Sequence, residues 1–178
     1  MERAYYQEEQ KFDQLWFKVI ILMTWVPLVT IFGIGIYRQL VLGKPWGNHP
    51  ASDTGLVVVA GSLFLIMTGL TWLLFSLRLI LEISEKGLQY RFPPMIGKCR
   101  LISPGEIGKY RIREYSPVRE YGGWGIRQGG FRNGVAYNVK GNTGLQLELK
   151  SGKKILFGTQ RPDALKSAMD RLMKPQLT

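Results

Sequence analysis

Apolar residues are massed, not alternating, in the first 77 positions, and the pattern changes after them. Val19–Tyr37 is 19 residues without a charge and Gly55–Leu77 is 23. At 1.5 Å per residue these stretches predict helices of about 28 and 34 Å, enough for a hydrocarbon core of about 30 Å. The reading is a two-helix transmembrane hairpin over 15–78, with helices at about 15–42 and 54–78, preceded by an N-terminal tail over 1–14. The first stretch exceeds the apolar region of a signal peptide, and no small-x-small cleavage site follows it. Pro27 removes a backbone donor in mid-helix and is expected to kink it. Gly33, Gly35, Gly61 and Gly69 are expected to bring the two helices together, or to pack them on another subunit. No charge interrupts either stretch, which argues against an ion path or proton relay.

From residue 79 onward the period becomes two. Leu79–Ser84 and Leu88–Phe92 alternate on either side of Glu85-Lys86-Gly87 and read as a β-hairpin. Further strands are expected at Cys99–Ile102, Ile107–Tyr115, Ala136–Val139, Leu145–Lys150 and Lys154–Gly158, with turns at Ser103-Pro104-Gly105, at 141–144 and at Ser151-Gly152-Lys153. Pro162 opens a helix with Asp163 in its first turn, and Leu165, Ala168, Met169 and Leu172 form one apolar face. The fold class is therefore a membrane α-hairpin plus a mainly-β domain over 79–178, with about seven antiparallel strands, no helix between them, and a closing C-terminal helix.

Gly122–Gly134 is the densest glycine stretch. Gly123, Gly125 and Gly129 are spaced G-x-G-x-x-x-G, one residue off the dinucleotide fingerprint, with neither the strand nor the helix that motif requires. A bulged strand-loop carrying Trp124, Ile126 and Phe131 is the better account.

The segment LEISEKGLQYRF directly after a helix hairpin, with the later EYGGWGIR and AYNVKGNTGLQLELKSGKKILFGTQRPDAL, resembles the bacterial pleckstrin-homology-like (PH-like) membrane proteins of unknown function. The resemblance covers about residues 79–173 and the hairpin arrangement. It implies a PH-like barrel of two nearly orthogonal antiparallel sheets with the C-terminal helix plugging one end. Eukaryotic PH domains that bind phosphoinositides concentrate basic residues in the first hairpin, where this chain has only Lys86 and Arg91. The resemblance therefore implies diffuse attraction to anionic lipid rather than specific inositol-phosphate recognition.

Charge sharpens this division. The net +11 falls entirely within residues 78–178, which hold 19 Lys and Arg against 8 Asp and Glu. A basic domain beside a bilayer is drawn to an anionic leaflet. Nucleic acid is disfavoured because the basic residues are interspersed, and a solubilising surface remains the plain alternative. Three basic residues precede the first helix and two lie in the loop at 38–54. Arg78, Lys86 and Arg91 follow the second, so the positive-inside tendency puts both termini in the cytoplasm of a multi-pass protein of the inner (plasma) membrane.

Cys99 is the only cysteine and His49 the only histidine, so an intrachain disulfide and zinc sites built on several His and Cys are excluded. No cofactor, metal or catalytic residue is expected, because Glu106, Glu114, Glu120 and Glu148 fall in no paired motif. The expected function is a non-catalytic, membrane-anchored binding or assembly module. Its candidate partner-binding residues are Trp124, Arg127, Phe131 and Arg132, aromatic and arginine side chains of the kind that dominate interface energetics. Its candidate anionic-lipid contacts are Arg111, Arg113, Lys153 and Lys154. The expected partners are the lipid bilayer and a protein partner or a second copy. An accessory subunit of a larger membrane complex and, more remotely, a membrane-bound hydrolase are the alternatives.

Overall fold

The computed structural model describes residues 4–130 and 133–174. The chain divides into two compact units, Asp13–Phe75 on one hand and the segment ending at Phe12 together with that beginning at Ser76 on the other.

The first unit is the helix pair. Helix α1 (Leu15–Ile36) runs unbroken through Pro27, whose missing N–H leaves only the Met23 carbonyl without its helical donor. It ends in a π-helical turn over Tyr37–Val41, and α2 (Asp53–Ser76) returns the chain. Ser52 caps α2, its Oγ accepting from the Gly55 N–H at 3.1 Å. Both helices are long and apolar enough to cross a membrane. They meet through rings and polar contacts: Trp25 Nε1 donates to Thr71 Oγ1 at 3.1 Å, Gln39 Nε2 donates to Asp53 Oδ1 at 2.9 Å, and Phe17 packs edge-on against Phe75. The glycines expected to close this contact do not. A side chain at Gly33, Gly61 or Gly69 would meet nothing within 4 Å, whereas Gly35 makes room for the Trp46 ring folded back from the loop. Ring packing holds the helices together, so the small residues are left on open faces.

Among the described residues the second unit holds nine strands in two sheets. Strand β1 (Tyr6–Lys11) precedes the helices, and β2 (Arg78–Ser84), β3 (Gly87–Phe92) and β4 (Ile96–Ile102) follow them. These four form an antiparallel sheet in the order β1-β2-β3-β4. The other strands are β5 (Ile107–Glu114), β6 (Gly125–Gln128), β7 (Val135–Asn138), β8 (Thr143–Leu149) and β9 (Lys154–Gly158), in the order β5-β8-β9-β7-β6. A short helix α3 (Pro117–Tyr121) and the terminal helix α4 (Pro162–Met173) complete the unit.

Three expectations are corrected here. The N-terminal tail over 1–14 is in large part β1, paired with β2 from Tyr6↔Ile83 to Lys11↔Arg78. Its inward face is Tyr6, Glu8 and Gln10, polar residues that no search for apolar alternation registers. The count of about seven antiparallel strands becomes nine, with β7 parallel to β9. The Gly141 turn does reverse the chain, but β8 pairs with β5 and β9, and β9 lies between β8 and β7. Finally, a helix does interrupt the strands: Pro117 and the Ser116 cap start α3, and Gly122, at φ 73°, ends it.

The core lies between the sheets. Leu79, Leu81, Ile83, Leu88, Tyr90 and Phe92 face Leu145, Leu147, Tyr137 and Phe157, all buried. The Tyr90 ring lies 4.8 Å from Phe157 and 5.0 Å from Tyr137, joining one sheet to the other. Helix α4 inserts its apolar face, with Leu165 and Met169 fully buried, against β1, β2, β5 and β8. Each fully buried large side chain of this kind contributes about 1.5–3 kcal/mol.

Candidate functional site

Two edges of the β unit concentrate the chemistry. On the outer face of the five-stranded sheet, alternation brings Lys109, Arg111 and Arg113 of β5 beside Gln146 and Glu148 of β8. Arg113 is fully engaged there. Its guanidinium donates to Glu120 at 2.7 and 3.2 Å, to Gln146 Oε1 at 3.2 Å and to the Tyr121 hydroxyl at 3.3 Å. Burial works against the charged Arg113, but the Glu120 hydrogen bond and charge outweigh it and raise its pKa. The same bond holds the Glu120 carboxyl below the usual carboxylate range, against a smaller opposing effect of burial and with help from the Ser116 N–H. Beneath this clamp Tyr115, Tyr121, Ala136 and Leu156 form a second small core. Burial pushes the Tyr115 hydroxyl up to about 12, although it accepts a hydrogen bond from Asn138 Nδ2 at 3.0 Å. Arg113 is thus a structural tie for α3, whereas Arg111 is exposed and lines a groove of about 500 Å³ with Lys109, Glu148 and Met173.

The second locus is the gap between the sheets on the side that α4 does not cover. Here β3 and β4 stand opposite β7, β9 and the β8–β9 turn, leaving a cleft of about 560 Å³. Arg100 is paired with Tyr90 across the ladder and so shares its inward face. Arg100 is exposed there, and interaction with the Tyr90 phenol, then with that of Tyr137, raises its pKa. Burial, aided by the Tyr90 hydrogen bond and opposed by Arg100, raises Tyr137 to about 12, so its hydroxyl stays protonated at neutral pH.

Lys153 and Lys154 both line the cleft, but they differ in partner. The Lys154 ammonium lies 3.7 Å from the Glu148 carboxylate of β8, whereas Lys153 has no ion-pair partner among the described residues. The structure therefore brings Lys153 together with Arg100, a residue the sequence reading passed over, and leaves Arg111 and Arg113 on another face. The signal for Arg100 was its position opposite Tyr90, which exists only once the β3–β4 register is known.

Of the residues proposed for a partner, Trp124 donates from Nε1 to the Gly141 carbonyl at 3.2 Å, and Arg127 Nε donates back to the Trp124 carbonyl at 3.0 Å. Both sit where β6 joins the sheet edge, half-buried and exposed respectively. Phe131 and Arg132 lie outside the described residues.

A third polar cluster is built on β1. The buried Glu8 carboxylate accepts from the Tyr6 hydroxyl, from Thr159 Oγ1 at 2.8 Å and from the Gln160 N–H at 2.8 Å. Burial, then the Glu8 hydrogen bond, raises the Tyr6 pKa. Gln10 Nε2 donates to the Gly158 carbonyl at 2.7 Å. These bonds are consumed in tying β1 to the segment before α4, so the cluster is a fastening and presents no group to a substrate. Among the described residues no three His, Cys, Asp or Glu side chains are placed to hold a metal ion.

No family model matches the chain, and no curated protein or solved structure is significantly similar to it.

Proposed function

We propose that this chain is a non-catalytic, membrane-anchored binding module. Its helix pair crosses the bilayer twice, and its β unit, a PH-like domain in arrangement, engages an anionic surface or a protein partner on the cytoplasmic side. The observation that carries this reading is that the helix pair is inserted between two hydrogen-bonded neighbours, β1 and β2. Lys11 pairs with Arg78, so the strand that leads into α1 and the strand that leaves α2 are side by side. A membrane crossed by α1 must then be recrossed by α2. The side chains of both helices support a lipid environment. Leu15, Met23, Leu65 and Trp72 are each more than two-thirds exposed, on helices with no charge in their central turns. With residues 1–12 included, the β unit has a net charge of +10, which favours an anionic leaflet.

Cys99 gives a direct test, because it is the only cysteine and is exposed on β4. A membrane-impermeant thiol reagent is expected to label Cys99 in inverted vesicles and not in intact cells. In a Cys99→Ser background, Asn48→Cys in the α1–α2 loop should show the opposite pattern. Labelling of both positions from the same side would sink the two-crossing arrangement. The accessory-subunit reading draws on one observation, the open faces at Gly33, Gly61 and Gly69, which a second transmembrane protein could fill.

A further inference from the structure

We propose that the cleft between the two sheets is a binding site for an amphipathic phosphate, with the head held by Arg100 and Lys153 and an apolar body lying on Ile102, Val135, Leu149 and Ile155. This deepens the binding-module reading above and rests on it. Four observations support the assignment. The cleft, about 560 Å³, is within the range of pockets that hold small organic ligands. Its lining combines Arg100, Lys153, Lys154 and two tyrosines with the aliphatic side chains of Ile102, Val135, Leu149 and Ile155. No carboxylate lines it, and among the described residues neither Arg100 nor Lys153 has an ion-pair partner. Arg100 is also set by the ladder on the face of Tyr90, whose ring is held 4.8 Å from Phe157.

The geometry selects phosphate over carboxylate. Arg100 comes from one sheet, Lys153 from the turn of the other, and Tyr90 and Tyr137 from one strand of each. Donors converging from several directions suit the tetrahedral oxygens of a phosphate better than the two coplanar oxygens of a carboxylate. The same chemistry is offered by the head of an anionic lipid and by a soluble phosphate ester with a short apolar group.

The test uses the full chain in phosphatidylcholine nanodiscs at 0.3 M salt, titrated calorimetrically with a series of alkyl phosphates after subtraction of empty discs. Hexyl phosphate is expected to bind one to one. Each methylene from propyl to hexyl should tighten binding about two- to fourfold, with inorganic phosphate weakest. Lys153→Gln and Arg100→Gln should each weaken hexyl phosphate at least tenfold, while Lys166→Gln, on the exposed side of α4 and outside the cleft lining, should change it less than twofold. That contrast matters because K153Q and K166Q remove the same charge from the same unit. Val135→Trp should block the apolar half and abolish the chain-length dependence; if that variant fails to fold, the lysine pair still decides.

Equal losses in K153Q and K166Q, no gain from inorganic to hexyl phosphate, or no binding to the wild-type chain would each overturn the site. Replacing a third of the disc lipid with phosphatidylglycerol then separates the sources, the bilayer surface field being largely screened at this salt. Competition with hexyl phosphate supports the site with a lipid as occupant, and unchanged affinity supports it with a soluble ester. Failed titration with the Cys99 labelling pattern intact overturns the cleft alone and leaves the membrane module standing.

Discussion

The Glu120 carboxylate joins α3 to the five-stranded sheet through Arg113, and its lowered pKa makes that link pH-dependent. A carboxyl whose folded pKa lies below its unfolded value contributes stability that is complete above the unfolded value, about 4.3. The contribution is lost as pH falls through the folded value, because the unfolded state then binds more protons. Thermal melts of the purified chain in detergent between pH 7 and pH 3 are expected to lose stability in this window. Glu120→Gln should lower stability at pH 7 by about 1–2 kcal/mol and flatten the acid limb. An acid limb unchanged in E120Q would place the titration elsewhere. Two glycines allow a sharper contrast of space against backbone strain. Gly134, at φ 72°, and Gly152, at φ 80°, share the left-handed region, but only at Gly134 would a Cβ overlap the Lys154 carbonyl. Gly152→Ala is expected to cost about 1 kcal/mol from strain alone, and Gly134→Ala about 3 kcal/mol or more. Chemical denaturation of the two variants side by side would show this difference or refute it.

At the scale of elements, β1 is the decisive one. It supplies the edge that covers β2 and carries Glu8, whose partners Thr159 and Gln160 lie far along the chain, just before α4. A fragment beginning at residue 79 therefore exposes a bare strand and leaves those buried donors unpaired, each costing about 1–3 kcal/mol. Phe12 and Leu77 are the residues next after the terminal pair Lys11↔Arg78. A two-residue Asn-Gly turn joining them should close the hairpin in register without the helices. The chain 4–12, Asn-Gly, 77–174 is expected to be a soluble monomer with a cooperative melt, and the 79–178 fragment an aggregate. Size-exclusion chromatography and circular dichroism would settle the comparison, and a well-folded 79–178 fragment would deny β1 this role.

At the scale of the whole molecule, a β unit of net charge +10 is joined at one end of a sheet to a helix pair with an apolar exterior. The reconnected, helix-free chain is expected to co-sediment with phosphatidylglycerol vesicles at low salt and to be released by 0.5 M salt. Arg111→Gln should weaken that binding about fivefold, in line with about 1 kcal/mol per well-placed basic residue. Binding to neutral vesicles of equal strength would exclude the electrostatic account.

What could be read from residues alone were the features with a strong period. The two uncharged stretches fall in α1 and α2, which begin four and two residues before them, because length and apolarity in a helix are local properties. Leu79–Phe92, Leu145–Gly158 and the apolar face of α4 emerged likewise, since alternation and the 3.6-residue stripe record burial on one side. Partnership was not legible. Nothing in Tyr6-Gln7-Glu8-Glu9-Gln10 marks a buried strand, because its inward side chains are stabilised by hydrogen bonds made about 150 residues away and not by apolar contact. Nor could the turn at Gly141 reveal that β9, not β8, lies beside β7. Lys153 and Lys154 look like one basic cluster in the sequence. Only the pairing of β9 with β8 sets them apart, giving Lys154 the Glu148 carboxylate as cross-strand neighbour, because such neighbours exist only once the sheet has formed.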